Sequence, residues 1–186
     1  MPSPRVTPYG EWPSPVAAES LVSGAVGISE VCVDGGDVWW AESRPDEGGR
    51  TAVMRWRGGD IAEITPPDAY VRTLVHEYGG GAWWVDRGVL FYVDLGDQRL
   101  RRLEPGGEPE VLTPEPDRPS GLRYADGRVT HDGRWFVCVH EVHPAADAGG
   151  EARNVVAAVA TDGSQRVEIL WSGADFVMAP RLSPSG

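Results

Sequence analysis

The sequence predicts an all-β fold: a partial β-propeller of about three four-stranded antiparallel blades, followed by the first strand of a fourth. Three observations carry this reading. Turn glycines recur at a spacing of roughly 50 residues, which is in the range of propeller blades. Short apolar runs of alternating character stand between those turns, as half-buried strands require. The chain has 24 Gly and 16 Pro in 186 residues, a content that suits tight turns and argues against long helices.

The repeat shows in matching stretches. Gly127-Arg128-Val129-Thr130-His131-Asp132-Gly133 precedes the apolar run Trp135–Val139, and Pro180–Gly186 begins a similar turn. Looser copies are Val85-Asp86-Arg87-Gly88 before Val89–Tyr92, and Val33-Asp34-Gly35-Gly36 before Val38–Trp40. The chain stops within such a turn, so the expectation is a truncated array.

Taken in order, residues 1–22 read as a proline-rich arm. Pro2, Pro4, Pro8, Pro13 and Pro15 prevent a regular helix, and only Val16–Val22 suits a helical turn or two. Tyr9 and Trp12 are large apolar groups in this extended lead, so the arm is expected to dock on a surface. Residues 23–186 read as an incomplete propeller. The first unit spans about 28–66, with strands near 28–33, 38–43, 52–57 and 61–65, a glycine hairpin at Asp34–Asp37 and a stop at Thr65-Pro66-Pro67. The second covers about 68–114: Gly79-Gly80-Gly81 leads into Ala82–Val85, then Val89–Leu95, Arg99–Leu103 and Glu110–Thr113, and Thr113-Pro114 repeats the ending. The third covers about 120–173, with strands at Arg128–Thr130, Arg134–Glu141, Val155–Thr161 and Arg166–Trp171 and a surface loop from Pro144 to Ala152. Phe176–Ser183 reads as the first strand of a fourth unit, truncated at 186.

A sheet of this kind cannot bury both faces alone, so neighbouring units are expected to stack face to face. The formal net charge of -11 repels phosphate backbones and argues against a nucleic-acid partner. No apolar run reaches the length of a membrane span, and the lead lacks the apolar core of a secretory signal, so the expectation is a soluble, cytoplasmic protein. Cys32 and Cys138 sit in apolar alternating runs and read as small buried hydrophobes rather than a disulfide pair.

Tests for chemistry return little. The Gly-x-Ser-x-Gly elbow that lifts a hydrolase serine onto a strained turn is missing, so no catalytic residue is assigned. His140-Glu141-Val142-His143 places its histidines three apart, on opposite faces of a strand, and no metal or cofactor is expected there. Gly79-Gly80-Gly81 lacks the following Lys-Ser or Lys-Thr and the helix of a phosphate loop; close backbone approach or a bulge explains it better. The 8 tryptophans read mainly as packing between sheets, with a carbohydrate platform as the rival.

Two stretches carry a more specific signal, Val71-Arg72-Thr73-Leu74-Val75-His76-Glu77-Tyr78-Gly79-Gly80-Gly81 and the lead Tyr9-Gly10-Glu11-Trp12-Pro13-Ser14-Pro15, and Arg123-Tyr124-Ala125-Asp126 and Pro180-Arg181-Leu182-Ser183-Pro184 join them. Together they resemble the N-terminal part of prolyl oligopeptidase family serine peptidases, in the bacterial dipeptidyl aminopeptidase and acylaminoacyl-peptidase-like branch. The resemblance covers almost the whole chain; the His-Glu-Tyr-Gly-Gly-Gly string is its most specific element. It implies a propeller of about seven or eight blades followed by an α/β-hydrolase domain that holds the Ser, Asp and His triad, so no catalytic residue transfers to this chain. In that family the propeller covers the active-site cavity and admits small peptides. One departure is that family turns usually read Ser-Pro-Asp-Gly, where this chain has Thr130-His131-Asp132-Gly133 and Ser183-Pro184-Ser185-Gly186.

If the starts of the blades face a central cavity, Arg72, His76, Glu77 and Tyr78 are the candidates for substrate contact, Glu77 through a charge-assisted bond to a peptide amine. The competing reading is that His76, Glu77 and Tyr78 brace the glycine turn. The resemblance makes Tyr9 and Trp12 docking groups for the hydrolase domain. The expected function is therefore a non-catalytic propeller fragment that gates and selects small peptides. The alternatives are a stand-alone propeller-like module that binds a small ligand, sugar or protein, or a chain that self-associates through its exposed strand edges.

Overall fold

The computed structural model describes residues 6–145 and 147–184. Pro2 and Pro4 of the arm, Ala146 of the long loop, and Ser185 and Gly186 of the last turn lie outside the described residues. The single α-helix among those described, α1 (Ala18–Val22), is one turn and a little more. None of the described helices is long and apolar enough to cross a membrane.

Among the described residues, twelve strands form three four-stranded antiparallel sheets, each a simple meander. Sheet 1 holds β1 (Gly27–Asp34), β2 (Asp37–Arg44), β3 (Arg50–Arg57) and β4 (Asp60–Glu63). Sheet 2 holds β5 (Trp83–Asp86), β6 (Val89–Val93), β7 (Leu100–Leu103) and β8 (Glu110–Val111). Sheet 3 holds β9 (Leu122–Val129), β10 (Trp135–Val142), β11 (Arg153–Ala160) and β12 (Val167–Ser172). The first hairpin pairs Asp34 with Asp37, and Gly35 takes the positive φ that so tight a connection needs.

The Thr-Pro endings have a shared cause. Proline cannot donate to a ladder, so a threonine hydroxyl carries it one step further. Thr65 Oγ1 accepts the Val53 N–H at 3.1 Å, and Thr113 Oγ1 accepts the Leu100 N–H at 3.1 Å. Both threonines are buried.

The sheets stack through their faces, and β6 shows how. Its alternate residues Leu90 and Tyr92 join Trp39, Ala41 and Val53 of sheet 1 in one core cluster. Phe91 and Val93 join Tyr124, Phe136, Cys138 and Val159 of sheet 3 in a second. Sheet 2 is thereby covered on both sides, while the stack stays open: Val33, Trp56 and Ile61 of sheet 1 are exposed. This is a partial propeller, not a closed ring. Both cysteines are free, and Cys138 is fully buried.

Some expectations need correcting. The first strand of the third unit begins at Leu122, not Arg128. The strand runs through an irregularity at Asp126-Gly127, with Asp126 at φ +57°. Phe176–Ser183 forms no strand, and it enters no ladder with the described strands. The tryptophans divide, because Trp39 and Trp83 are core residues whereas Trp56 and Trp171 are exposed.

Candidate functional site

The segment between sheets 1 and 2 does not run directly from one to the other. Val71 bridges to Asp94, and the Arg72 N–H bonds the Val93 carbonyl at 3.1 Å. The Leu74 N–H then donates to the buried Gln98 side chain at 2.7 Å. From there a single 3-10 turn, Val75–Glu77, crosses to sheet 3. Val75 packs there against Ala125 and Val139.

His76 and Glu77 hold φ values of +56° and +63°. Consecutive non-glycine residues in this region are strained and persist only where their surroundings fix them. The surroundings are sheet 3. The His76 N–H donates to Glu141 Oε2 at 2.9 Å, and His76 Nε2 lies 2.9 Å from Asn154 Oδ1. The ring also meets Phe176 edge-on, 5.3 Å between centroids. Gly79 and Gly81 complete the crossing. A side chain on Gly79 would meet the Thr73 carbonyl at 2.7 Å, and Gly81 lies so close to Asp126 that its carbonyl accepts the Asp126 N–H at 2.8 Å. Close backbone approach is thus what the glycines provide.

Arg123 is the hub. Its Nη1 donates to the Leu74 carbonyl at 2.6 Å, to Glu77 Oε1 at 2.7 Å and to Glu141 Oε1 at 3.1 Å. Its Nε donates to the Ser120 carbonyl at 3.1 Å. The Glu141 side chain is only 4% exposed, whereas that of Glu77 is 71% exposed. The hydrogen bond and charge of Arg123 hold the Glu77 carboxyl below the usual carboxylate range. Nε2 of His143 lies 2.6 Å from Glu141 Oε1. Glu77, Glu141 and His143 bring ligand atoms within 4.8 Å of one another, the one grouping among the described residues with metal-like spacing. The Arg123 guanidinium already supplies positive charge to both carboxylates, so the arrangement is an ion-pair network. His140 stays outside the ion pairs: its Nδ1 lies 3.2 Å from the Arg123 carbonyl, its ring stacks on Tyr124 at 4.5 Å, and burial pushes its imidazole pKa down.

The structure therefore divides the four candidates. His76 and Glu77 are held against sheet 3, Glu77 with its outer side open to solvent. Arg72 and Tyr78 line a cleft between sheets 1 and 2 instead. Tyr9 and Trp12 are exposed. Arg123, Glu141 and Asn154 were not among the candidate site residues, although Arg123 and Glu141 lie in stretches that the sequence marked for other reasons. One signal for them existed: Glu141 and His143 stand two apart and share a strand face, and Glu141 pairs with Arg123 in the β9–β10 register.

Three solved structures share this architecture. A puromycin-hydrolyzing peptidase of Mycobacterium tuberculosis is 39% identical with a TM-score of 0.85, over 96% of this chain and 29% of that one. A puromycin hydrolase is 35% identical with a TM-score of 0.83, over 97% of this chain and 30% of that one. A point mutant of puromycin hydrolase complexed with PGG gives 35% identity and a TM-score of 0.82 over the same shares. This chain matches a propeller part of prolyl oligopeptidase family peptidases. It spans about 30% of the length of those solved chains. No protein-family model matches it, and no curated protein does. Set beside the prolyl oligopeptidase family, the His-Glu-Tyr-Gly-Gly-Gly string is a structural crossing: it ties the start of sheet 2 to sheet 3.

Proposed function

We propose that this chain is the non-catalytic propeller portion of a prolyl oligopeptidase-like serine peptidase, and that it gates and selects small peptides for an α/β-hydrolase domain outside it. Residues 1–22 serve as an arm and residues 23–186 as the incomplete propeller. The exposed Tyr9 and Trp12 are the groups that dock on the hydrolase domain. The substrates are of the kind taken by dipeptidyl aminopeptidases and acylaminoacyl peptidases.

The observation that supports this most is the asymmetry of coverage: 96–97% of this chain against 29–30% of puromycin-hydrolysing enzymes. Glu77 adds to it, because an ionised, largely exposed carboxylate held by Arg123 is suited to an amine. The test is to purify the chain and assay puromycin and aminoacyl-amide hydrolysis across a gel-filtration profile. The expected result is no turnover following the chain. Turnover that tracks its elution and survives repurification would overturn the reading.

A further inference from the structure

We propose that the cleft between sheets 1 and 2 is a second binding site, one that takes the terminal carboxylate of a short peptide. The proposal rests on the peptidase reading above and adds which end of the peptide this cleft grips.

The cleft holds about 330 Å³. Ala41 and Ala82 form apolar parts of its wall, and polar groups with no protein partner form much of the rest. The hydroxyls of Ser29, Ser43, Thr51 and Tyr70 line it, and none of them bonds another described residue. The Trp83 side chain reaches it as well. That residue is 6% exposed, and its Nε1–H is buried with no acceptor.

Arg72 supplies the charge. Most arginines of this acidic chain are committed: Arg44, Arg50, Arg57, Arg101 and Arg123 to carboxylates, and Arg99 to the Thr113 carbonyl. The Arg72 side chain lines the cleft with no such partner among the described residues, while its backbone is fixed by the bond to Val93. A free guanidinium beside unspent donors suits a planar anion. Glu30 is also in the wall, its carboxylate accepting the Gly81 N–H at 2.9 Å. That negative charge disfavours a multiply charged phosphate and leaves a single carboxylate as the better fit. Tyr78, on the rim next to Glu77, connects this cleft to the Arg123 network along the chain. The two sites together suit the opposite ends of one small peptide.

Titration calorimetry on the purified chain at low salt tests this with trialanine and trialanine amide, which share the same free amine. The acid is expected to bind, and the amide to bind about 10-fold more weakly, the scale of a hydrogen bond to a charged group. Arg72→Gln should erase the difference while leaving the melting temperature unchanged, and inorganic phosphate should not compete. Equal binding of acid and amide, a preference that survives Arg72→Gln, or no saturable binding of the acid would each overturn the proposal. So would phosphate that displaces trialanine at equal concentration. A negative result here leaves the peptidase reading standing, because that reading is tested by turnover.

Discussion

Glu141 accepts the backbone N–H of His76 at 2.9 Å, across a separation of 65 residues. This bond fastens a left-handed turn at the start of the second unit to the face of the next sheet, sheet 3. Arg123 reinforces it from the same face by holding Glu141, Glu77 and the Leu74 carbonyl together.

The two carboxylates of Arg123 should respond very differently to mutation. Arg123→Met leaves Glu141 buried without its guanidinium, and breaking a buried pair costs about 3–5 kcal/mol. Glu77→Gln removes a largely exposed partner and should cost less than about 1 kcal/mol. Urea unfolding midpoints of the two variants test this contrast. Equal shifts would show that the network does not depend on burial.

Gly81→Ala should destabilise the chain by at least about 1 kcal/mol, since alanine there meets both a positive φ and the backbone of Asp126. Gly36→Ala is the control. Nothing lies within 4 Å of its added carbon, so a shift of less than about 0.5 kcal/mol is expected.

His140 and Glu77 each contribute to the pH dependence. Burial lowers the His140 pKa below its ordinary 6.5, so the unfolded chain binds the proton more readily. Its stability contribution is complete above about pH 6.5 and is lost as pH falls through the folded value. The hydrogen bond from Arg123 lowers Glu77 below its ordinary 4.5. That contribution is present above about pH 4.5 and is lost as pH falls through the depressed value. Unfolding midpoints measured from pH 8 to pH 3 should drop in both windows. His140→Phe should flatten the upper one, and Glu77→Gln should shrink the lower one only in part, because Asp37, Glu63, Asp97, Asp132 and Asp162 are also held below the usual carboxylate range.

Trp39 and Trp56 test the open stack. Trp39 is fully buried between sheets 1 and 2, and Trp39→Ala should cost about 3–5 kcal/mol. Trp56 stands on the uncovered face of sheet 1, where Trp56→Ala should change the urea midpoint far less.

Much of this fold was legible locally. The Asp34–Asp37 hairpin and the two Thr-Pro stops depend on residues close in sequence, and β1 to β8 fall where alternation puts them. The start of β9 was not legible. Asp126-Gly127 has the chemistry of a turn, but its cause lies elsewhere: Asp126 meets Gly81, and a side chain at Gly127 would collide with the ring of Phe136. Phe176–Ser183 has strand-like residues but enters no ladder with the described strands. The site split along the same line. His76 and Glu77 stood out from their motif, whereas Arg123, Glu141 and Asn154 reach them from 46, 65 and 78 residues away, beyond any local pattern.

The most direct test of the central claim is a graft. This chain replaces the matching portion of the puromycin-hydrolyzing peptidase of Mycobacterium tuberculosis, and kcat/KM is measured for a dipeptide amide and for a long unfolded polypeptide carrying the same scissile residue. The account predicts a folded enzyme that cleaves the small substrate and excludes the large one. A folded graft that cleaves both equally, or neither, would contradict it.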